Sequence, residues 1–289
     1  MNQRLVAVSE LLFATLIWGF GFTATIWAME STSSILLSVT RFFGACLLTL
    51  PVFYFSKEMR AEFSLANLKL SALPGFFLGM TLILQTWGLE FTTATKSGFI
   101  TTLYVILVPV IEVLIIKKKV SRWHTAWVGL AMVGTALIVQ LQFNEVNKGD
   151  VLTLICSAFA AAHIALLGAI GPKIKSPFVF NFYQSFWAGS LALIMLPFFD
   201  GPHWKGINNL ALIGFISLTV GSTMLAFALQ VKAQKKLSAS LASLIFLLES
   251  PFAMMFGIIL LGETLTMYQA AGAGLIILAA VGAIRFERA

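Results

Sequence analysis

The sequence predicts an all-α membrane protein of ten transmembrane helices, built as two inverted five-helix repeats. Three observations carry that expectation. The 289 residues are 59% hydrophobic and only 11% charged, against about 45–50% and about 25% in soluble domains. Ten apolar runs lie near the span of about 20 residues that a helix needs to cross a hydrocarbon core of about 30 Å. Finally, the second half repeats features of the first, with the charge of one equivalent loop changed.

The runs are Leu5–Met29, Ser33–Phe55, Leu68–Leu89, Thr93–Ile116, Trp123–Gln140, Gly149–Ile170, Ser176–Phe199, Asn208–Val231, Leu237–Leu261 and Met267–Arg285. Continuous apolar runs favour helices, because strands of a membrane barrel alternate lipid-facing and lumen-facing residues. The first run follows Arg4 and is too long for a signal-peptide core, so it reads as an uncleaved helix. The connections are short, which leaves no room for a separate soluble domain.

The net charge of +7 is unevenly placed. With the N-terminus in the cytoplasm and sides alternating after each run, Lys148 and Lys205 fall outside, and Arg41 and Lys96 fall within helices. All the other Lys and Arg residues, among them Lys117, Lys118, Lys119, Arg122 and Arg288, fall inside. Cytoplasmic loops of membrane proteins carry such an excess of positive charge, so both termini are expected in the cytoplasm. The basic balance reports orientation, and no nucleic-acid partner is expected. Cys46 and Cys156 lie in different runs and suggest neither a disulfide framework nor a metal site.

A shift of 145 residues places Ser97–Val139 over Ala242–Ile284. Ile100 then meets Ile245, Leu103 meets Leu248 and Gly129 meets Gly274. The loop after the fourth run holds Lys117, Lys118, Lys119 and Arg122, whereas its equivalent after the ninth holds Glu263 and no base. Because five is odd, a duplicated five-helix unit inserts the second time upside down, and its equivalent loops face opposite sides. The expected units are residues 5–143 and 147–286. Inverted repeats are a recurrent architecture of secondary transporters, with the substrate site at the repeat interface near the midplane.

Polar residues inside a membrane are expensive and face protein or water. Arg41 in the second run and Glu249 in the ninth lie at similar depth; they are read either as a substrate or proton site or as an ion pair with each other. Ser97, Thr101, Tyr104, Val108 and Glu112 share one helix face, suited to a cavity wall or to helix packing, with Glu112 placed to snorkel toward the surface. Gln85 can read a polar substrate or bridge helices, and His163 can serve a substrate or the packing. Trp18 suits a cavity wall or the core, while Glu10 and Lys96 read as interfacial. The candidate substrate residues are therefore Trp18, Arg41, Gln85, Thr101, Tyr104, His163 and Glu249, with Pro109 and Pro251 as candidate hinges.

Several stretches also resemble a known family. Ile17-Trp18-Gly19-Phe20-Gly21-Phe22 is similar to the Trp-Gly signature of the drug/metabolite transporter superfamily, in its ten-helix EamA-type branch. Val39-Thr40-Arg41-Phe42 resembles that branch's Arg-Phe element, and Leu84–Leu89 with Ala94–Thr101 resembles its third-to-fourth helix hairpin. Leu248-Glu249-Ser250-Pro251-Phe252 and Leu261-Gly262-Glu263 resemble its Glu-Pro and Gly-Glu pair. Gly21 stands where members often carry a polar residue, and Ser250 interrupts the usual Glu-Pro. The resemblance implies transport of small metabolites without naming the cargo.

Enzymatic readings find little support. The two aspartates, Asp150 and Asp200, lie in outer loops or at helix ends, the histidines lack metalloprotease spacing, and no nucleophile elbow occurs. The reading is a secondary transporter of an amino acid-like or drug-like metabolite, working by alternating access and exporting across the bacterial inner membrane. A passive uniporter or channel-like facilitator is the alternative. Its expected partners are a small-molecule substrate and the bilayer, with protons as a candidate coupling ion, in a monomer or homodimer without cofactor or metal.

Overall fold

The computed structural model describes residues 3–114, 117, 121–139, 146–199 and 203–286. The long elements are all helices, and the described residues contain no strand, only one isolated bridge between Thr32 and Trp204. We label the long helices α1 (Gln3–Met29), α2 (Ser34–Phe55), α3 (Ala72–Gly88), α4 (Ala94–Leu114), α5 (Arg122–Val139), α6 (Lys148–Lys173), α7 (Pro177–Phe198), α8 (Asn209–Gln234), α9 (Ala239–Leu261) and α10 (Met267–Phe286). Eight of them are long and apolar enough to cross a membrane, α3 is a shorter apolar helix, and α5 opens on a polar turn with Arg122 and His124.

The ten predicted runs map one to one onto these helices, with differences at the ends. Leu68–Leu70 belongs to a separate short helix, Leu65–Leu70, which stops at Ser71, so α3 begins later than its apolar run. Residues Ile116 and Gln140 of the predicted spans, Lys118, Lys119 and Arg288 of the charge distribution, and Asp200 lie outside the described residues.

The helix starts are written locally. Side-chain oxygens of Thr93, Asn147, Ser176, Asn208 and Ser238 accept from backbone N–H groups in the first turns of α4, α6, α7, α8 and α9. Each satisfies a donor that the helix itself leaves free. Thr93 and Ser238, which start α4 and α9, are 145 residues apart. Gly262 ends α9 in the left-handed conformation, with φ 71°. Large apolar side chains such as Leu47, Phe55, Ile194 and Leu278 remain on the outer surface, where lipid solvates them.

Packing follows the duplication. α3 packs on α6 as α8 packs on α1, α3 on α7 as α8 on α2, and α1 on α9 as α6 on α4. Exchanging each helix for the one five places away thus returns these main contacts. Three pairs map onto themselves under that exchange: α2 with α7, α4 with α9 and α5 with α10. All three run antiparallel. Phe53 meets Phe182 at one end of α2–α7 and Ile35 packs with Ala192 at the other. In α5–α10, Trp127 lies beside Gly282 while Gly134 lies beside Gly272. Antiparallel self-pairing is what a two-fold axis in the membrane plane requires.

A central cavity between the repeats

Both α4 and α9 break near their middles. α4 consists of Ala94–Thr101 and Tyr104–Leu114, and α9 of Ala239–Phe246 and Glu249–Leu261, so the breaks are offset by the same 145 residues. Each turn tightens to three-residue hydrogen bonds: Leu103 N–H to the Ile100 carbonyl at 3.2 Å, and Leu248 N–H to the Ile245 carbonyl at 3.1 Å. These are the matched Ile and Leu of the sequence register. Pro251 lies in the first turn after the α9 break and cannot donate to the Leu247 carbonyl four residues back; Ser250 N–H bonds that carbonyl instead at 3.2 Å. Pro109 lies five residues past the start of the second half of α4, inside the helix rather than at the turn. The Ser250 hydroxyl ties the two breaks together, donating to the Gly98 carbonyl at 3.2 Å and meeting the Thr102 hydroxyl at 3.0 Å.

The breaks open onto a central cavity of about 60 Å³, lined by α1, α2, α3, α4, α6, α8 and α9. All seven candidate substrate residues line it: Trp18, Arg41, Gln85, Thr101, Tyr104, His163 and Glu249. Arg41, Thr101, Tyr104, His163 and Glu249 are buried in the protein. Gln85 Nε2 donates to the Thr101 hydroxyl at 3.1 Å, and Tyr104 OH donates to Glu249 Oε2 at 3.4 Å. Trp18 packs on Phe227 and Phe246, with ring centroids 4.8 and 5.2 Å apart, to form an aromatic wall.

Of the two readings of Arg41 and Glu249, the ion pair with each other is not formed. Arg41 Nε donates to Thr223 Oγ1 at 3.1 Å and its Nη2 to Ser222 Oγ at 2.9 Å. No carboxylate among the described residues forms an ion pair with it. The reason lies in α8, where Ser217–Ala226 is wound as a π-helix. The widened turn lets the Thr223 hydroxyl reach the Leu218 carbonyl five residues back at 2.8 Å. The Thr223 and Met224 carbonyls of the same stretch of α8 accept from Asn181 Nδ2 at 2.9 and 3.1 Å. Gln184 Nε2 then donates to Asn181 Oδ1 at 2.8 Å, and Gln184 Oε1 meets His163 Nε2 at 3.1 Å. A buried chain of polar groups thus runs from Arg41 through the π segment to His163. Wide helical turns of this kind frequently mark functional sites.

Arg41 uses two of its five donors within the protein. Trp18 Nε1 and Gln230 Oε1, both on cavity-lining residues, have no hydrogen-bond partner among the described residues. A free donor, a free acceptor and a partly free guanidinium in the same cavity as a carboxyl group make the site chemically suited to a small polar or zwitterionic molecule. Buried groups of this kind are costly unless something satisfies them.

Other candidates fall elsewhere. Ser97 faces Thr153 on α6 at 3.4 Å. Glu112 does not snorkel: it is buried and accepts from the Ser240 hydroxyl, because α9 covers that face of α4. Lys96 forms an ion pair with Asp150 at 2.6 Å, and Glu10 pairs with Lys232. Sequence reasoning missed Asn181, Gln184, Ser222, Thr223 and Gln230. The available signal was Asn181 and Gln184, amides three residues apart on one face of a membrane helix.

Ten helices in two inverted repeats around a buried polar cavity define a multi-pass membrane transporter. The EamA-like transporter family matches residues 6–140 and 148–285, one match on each repeat. A curated relative from Archaeoglobus fulgidus, described as an uncharacterized transporter, is 34% identical over 281 residues, covering 96% of this chain and 86% of the relative. The chain belongs to the EamA-like transporter family, within the drug/metabolite transporter superfamily. A solved crystal structure of 14% identity shares the fold, with a TM-score of 0.73 over 96% of each chain.

Proposed function

We propose that the protein is a secondary carrier that exports a small amino acid-like metabolite across the cytoplasmic membrane by alternating access. The observation that carries this reading is the presence of a basic and an acidic side chain, not bonded to each other, in one cavity: Arg41 with unused donors, and Glu249 with Tyr104. A carboxylate on the substrate would take the guanidinium, its ammonium would take Glu249, and the Trp18–Phe227–Phe246 wall would hold an apolar side group. Such a site discriminates through buried polar groups that an incomplete analogue leaves unpaired.

In this reading both termini are cytoplasmic, as the charge distribution favours, and Glu249 is the candidate carrier of a coupling proton. The protein works as a monomer or homodimer in the bilayer, has no nucleic-acid partner and performs no catalysis.

The test is uptake into proteoliposomes. A panel of amino acids and related amines should reveal one class that saturates and supports counterflow, and a pH gradient should drive that class uphill. Uptake that neither saturates nor exchanges would replace the carrier with a channel-like facilitator, and saturable transport indifferent to the gradient would make it a uniporter. A reporter active only in the cytoplasm, fused after Ala289, should be active; silence there would reverse the orientation.

A further inference from the structure

We propose that two carboxylates, Glu263 and Glu112, are latches of two opposite gates, each fastening one end of the α4–α9 pair over the central cavity. Glu263 follows the C-terminus of α9 and reaches the first turn of α4. There it accepts from Ala94 N–H at 3.0 Å, from Thr95 N–H at 3.2 Å and from the Thr95 hydroxyl. At the other end of the antiparallel pair, Glu112 in the last turns of α4 accepts from the hydroxyl of Ser240, in the first turn of α9. Thr95 and Ser240 are separated by the same 145 residues that relate the breaks. In each repeat the same first-turn hydroxyl is therefore held by a carboxylate from the partner helix.

The two carboxylates come from different places in the chain. The position 145 residues beyond Glu112 is Gly257, and a Cβ built there would lie 2.6 Å from Glu263 Oε2. The second repeat carries no side chain at the equivalent position, and a carboxylate six residues further on occupies that space. One contact reached by two unrelated sequence routes points to the contact itself as the feature that matters.

The geometry suits a switch. Charge-assisted bonds to a hydroxyl and to helix N-terminal amides are individually strong, yet each latch joins only one or two turns. The halves Ala94–Thr101 and Ala239–Phe246, which the latches hold, end at the central turns. Either half can swing about its turn while the latch at the far end stays closed. Opening one gate then costs one latch, and both latches are formed at once in this structure.

The inference rests on the transport reading for its purpose, but its test needs no substrate. Cys46 and Cys156, both buried, are replaced by Ala, and Ala160→Cys places a single thiol on the cavity wall. A charged, membrane-impermeant thiol reagent is applied to either face of sealed, oriented vesicles. Glu263→Ala should raise the ratio of outer to inner labelling about tenfold, and Glu112→Ala should lower it about tenfold, each equivalent to about 1.4 kcal/mol. The double variant should return near the parent ratio. Thr95→Ala and Ser240→Ala should follow their respective partners, and they carry the test if a carboxylate variant fails to reach the membrane. Shifts of both singles in the same direction, or no shift in either latch, would overturn the proposal. Opposite shifts with the faces exchanged would support the latches and reverse only the orientation.

Discussion

The hydroxyl of Tyr104 donates to Glu249 Oε2 at 3.4 Å, and the two residues are 145 positions apart, the register that relates the repeats. Each is the first residue after the break of its helix. A residue lying on a two-fold axis must meet its own symmetry mate, so this contact marks the axis. The repeats have diverged there into a phenol and a carboxylate, which makes the centre of the site asymmetric.

In the proposed carrier, that asymmetry makes Glu249 the candidate for carrying a coupling proton. Glu249→Gln should abolish uphill transport driven by a pH gradient in proteoliposomes while leaving downhill counterflow. Loss of both activities together in a folded variant would assign Glu249 to substrate binding alone.

Arg41 and Glu249 share a cavity but no bond, and their partners are separate. A thermodynamic cycle of Arg41→Met, Glu249→Met and the double variant should therefore show only the coupling of residues that share a cavity, toward the low end of about 0.5–3 kcal/mol. Recovery of about 3–5 kcal/mol in the double variant, the signature of a broken buried pair, would require the ion pair that the structure lacks. Thermal melting in detergent supplies the measurement.

Asn181 donates to two buried carbonyls in the π segment of α8. Asn181→Leu should cost about 1–3 kcal/mol, the penalty for stranding buried acceptors, and should weaken substrate binding through displacement of Ser222 and Thr223 from Arg41. Ser185 lies one turn further along α7 and its buried hydroxyl has no partner among the described residues, so Ser185→Ala should leave stability nearly unchanged. Equal effects of the two substitutions in melting experiments would argue against the cap.

Close packing of α5 on α10 depends on glycine. A Cβ at Gly272 would stand 2.4 Å from the Gly134 carbonyl oxygen, whereas one at Gly274 would meet nothing within 4 Å. Gly272→Val should destabilise by at least about 1–3 kcal/mol, the usual cost of overpacking, and Gly274→Val should be tolerated. Small residues at such crossings let helix backbones approach closely in lipid. Detergent melting curves of the two variants provide the comparison.

Much of this was legible beforehand because its causes are local or translational. Lipid leaves the backbone few options besides helix, so apolar runs alone located all ten helices. The duplication put Ile100 with Ile245 and Leu103 with Leu248, the pairs that form the central turns. The cost of polar groups in a membrane singled out Arg41, Gln85, Thr101, Tyr104, His163 and Glu249, Trp18 was added as an aromatic wall, and the fold gathers all seven around one cavity.

What the sequence by itself determined, then, was the set of spans, the repeat register and the residues too polar to face lipid. Only the tertiary structure decided which of those residues touch. Depth along a helix follows from counting residues, but partner choice depends on each helix's rotation and on local winding. The π segment of α8 turned Ser222 and Thr223 toward Arg41 and left Glu249 to Tyr104. The crossing of α4 and α9 likewise carried Glu112 to Ser240 and Glu263 to Thr95, contacts between residues more than a hundred positions apart that no local pattern encodes.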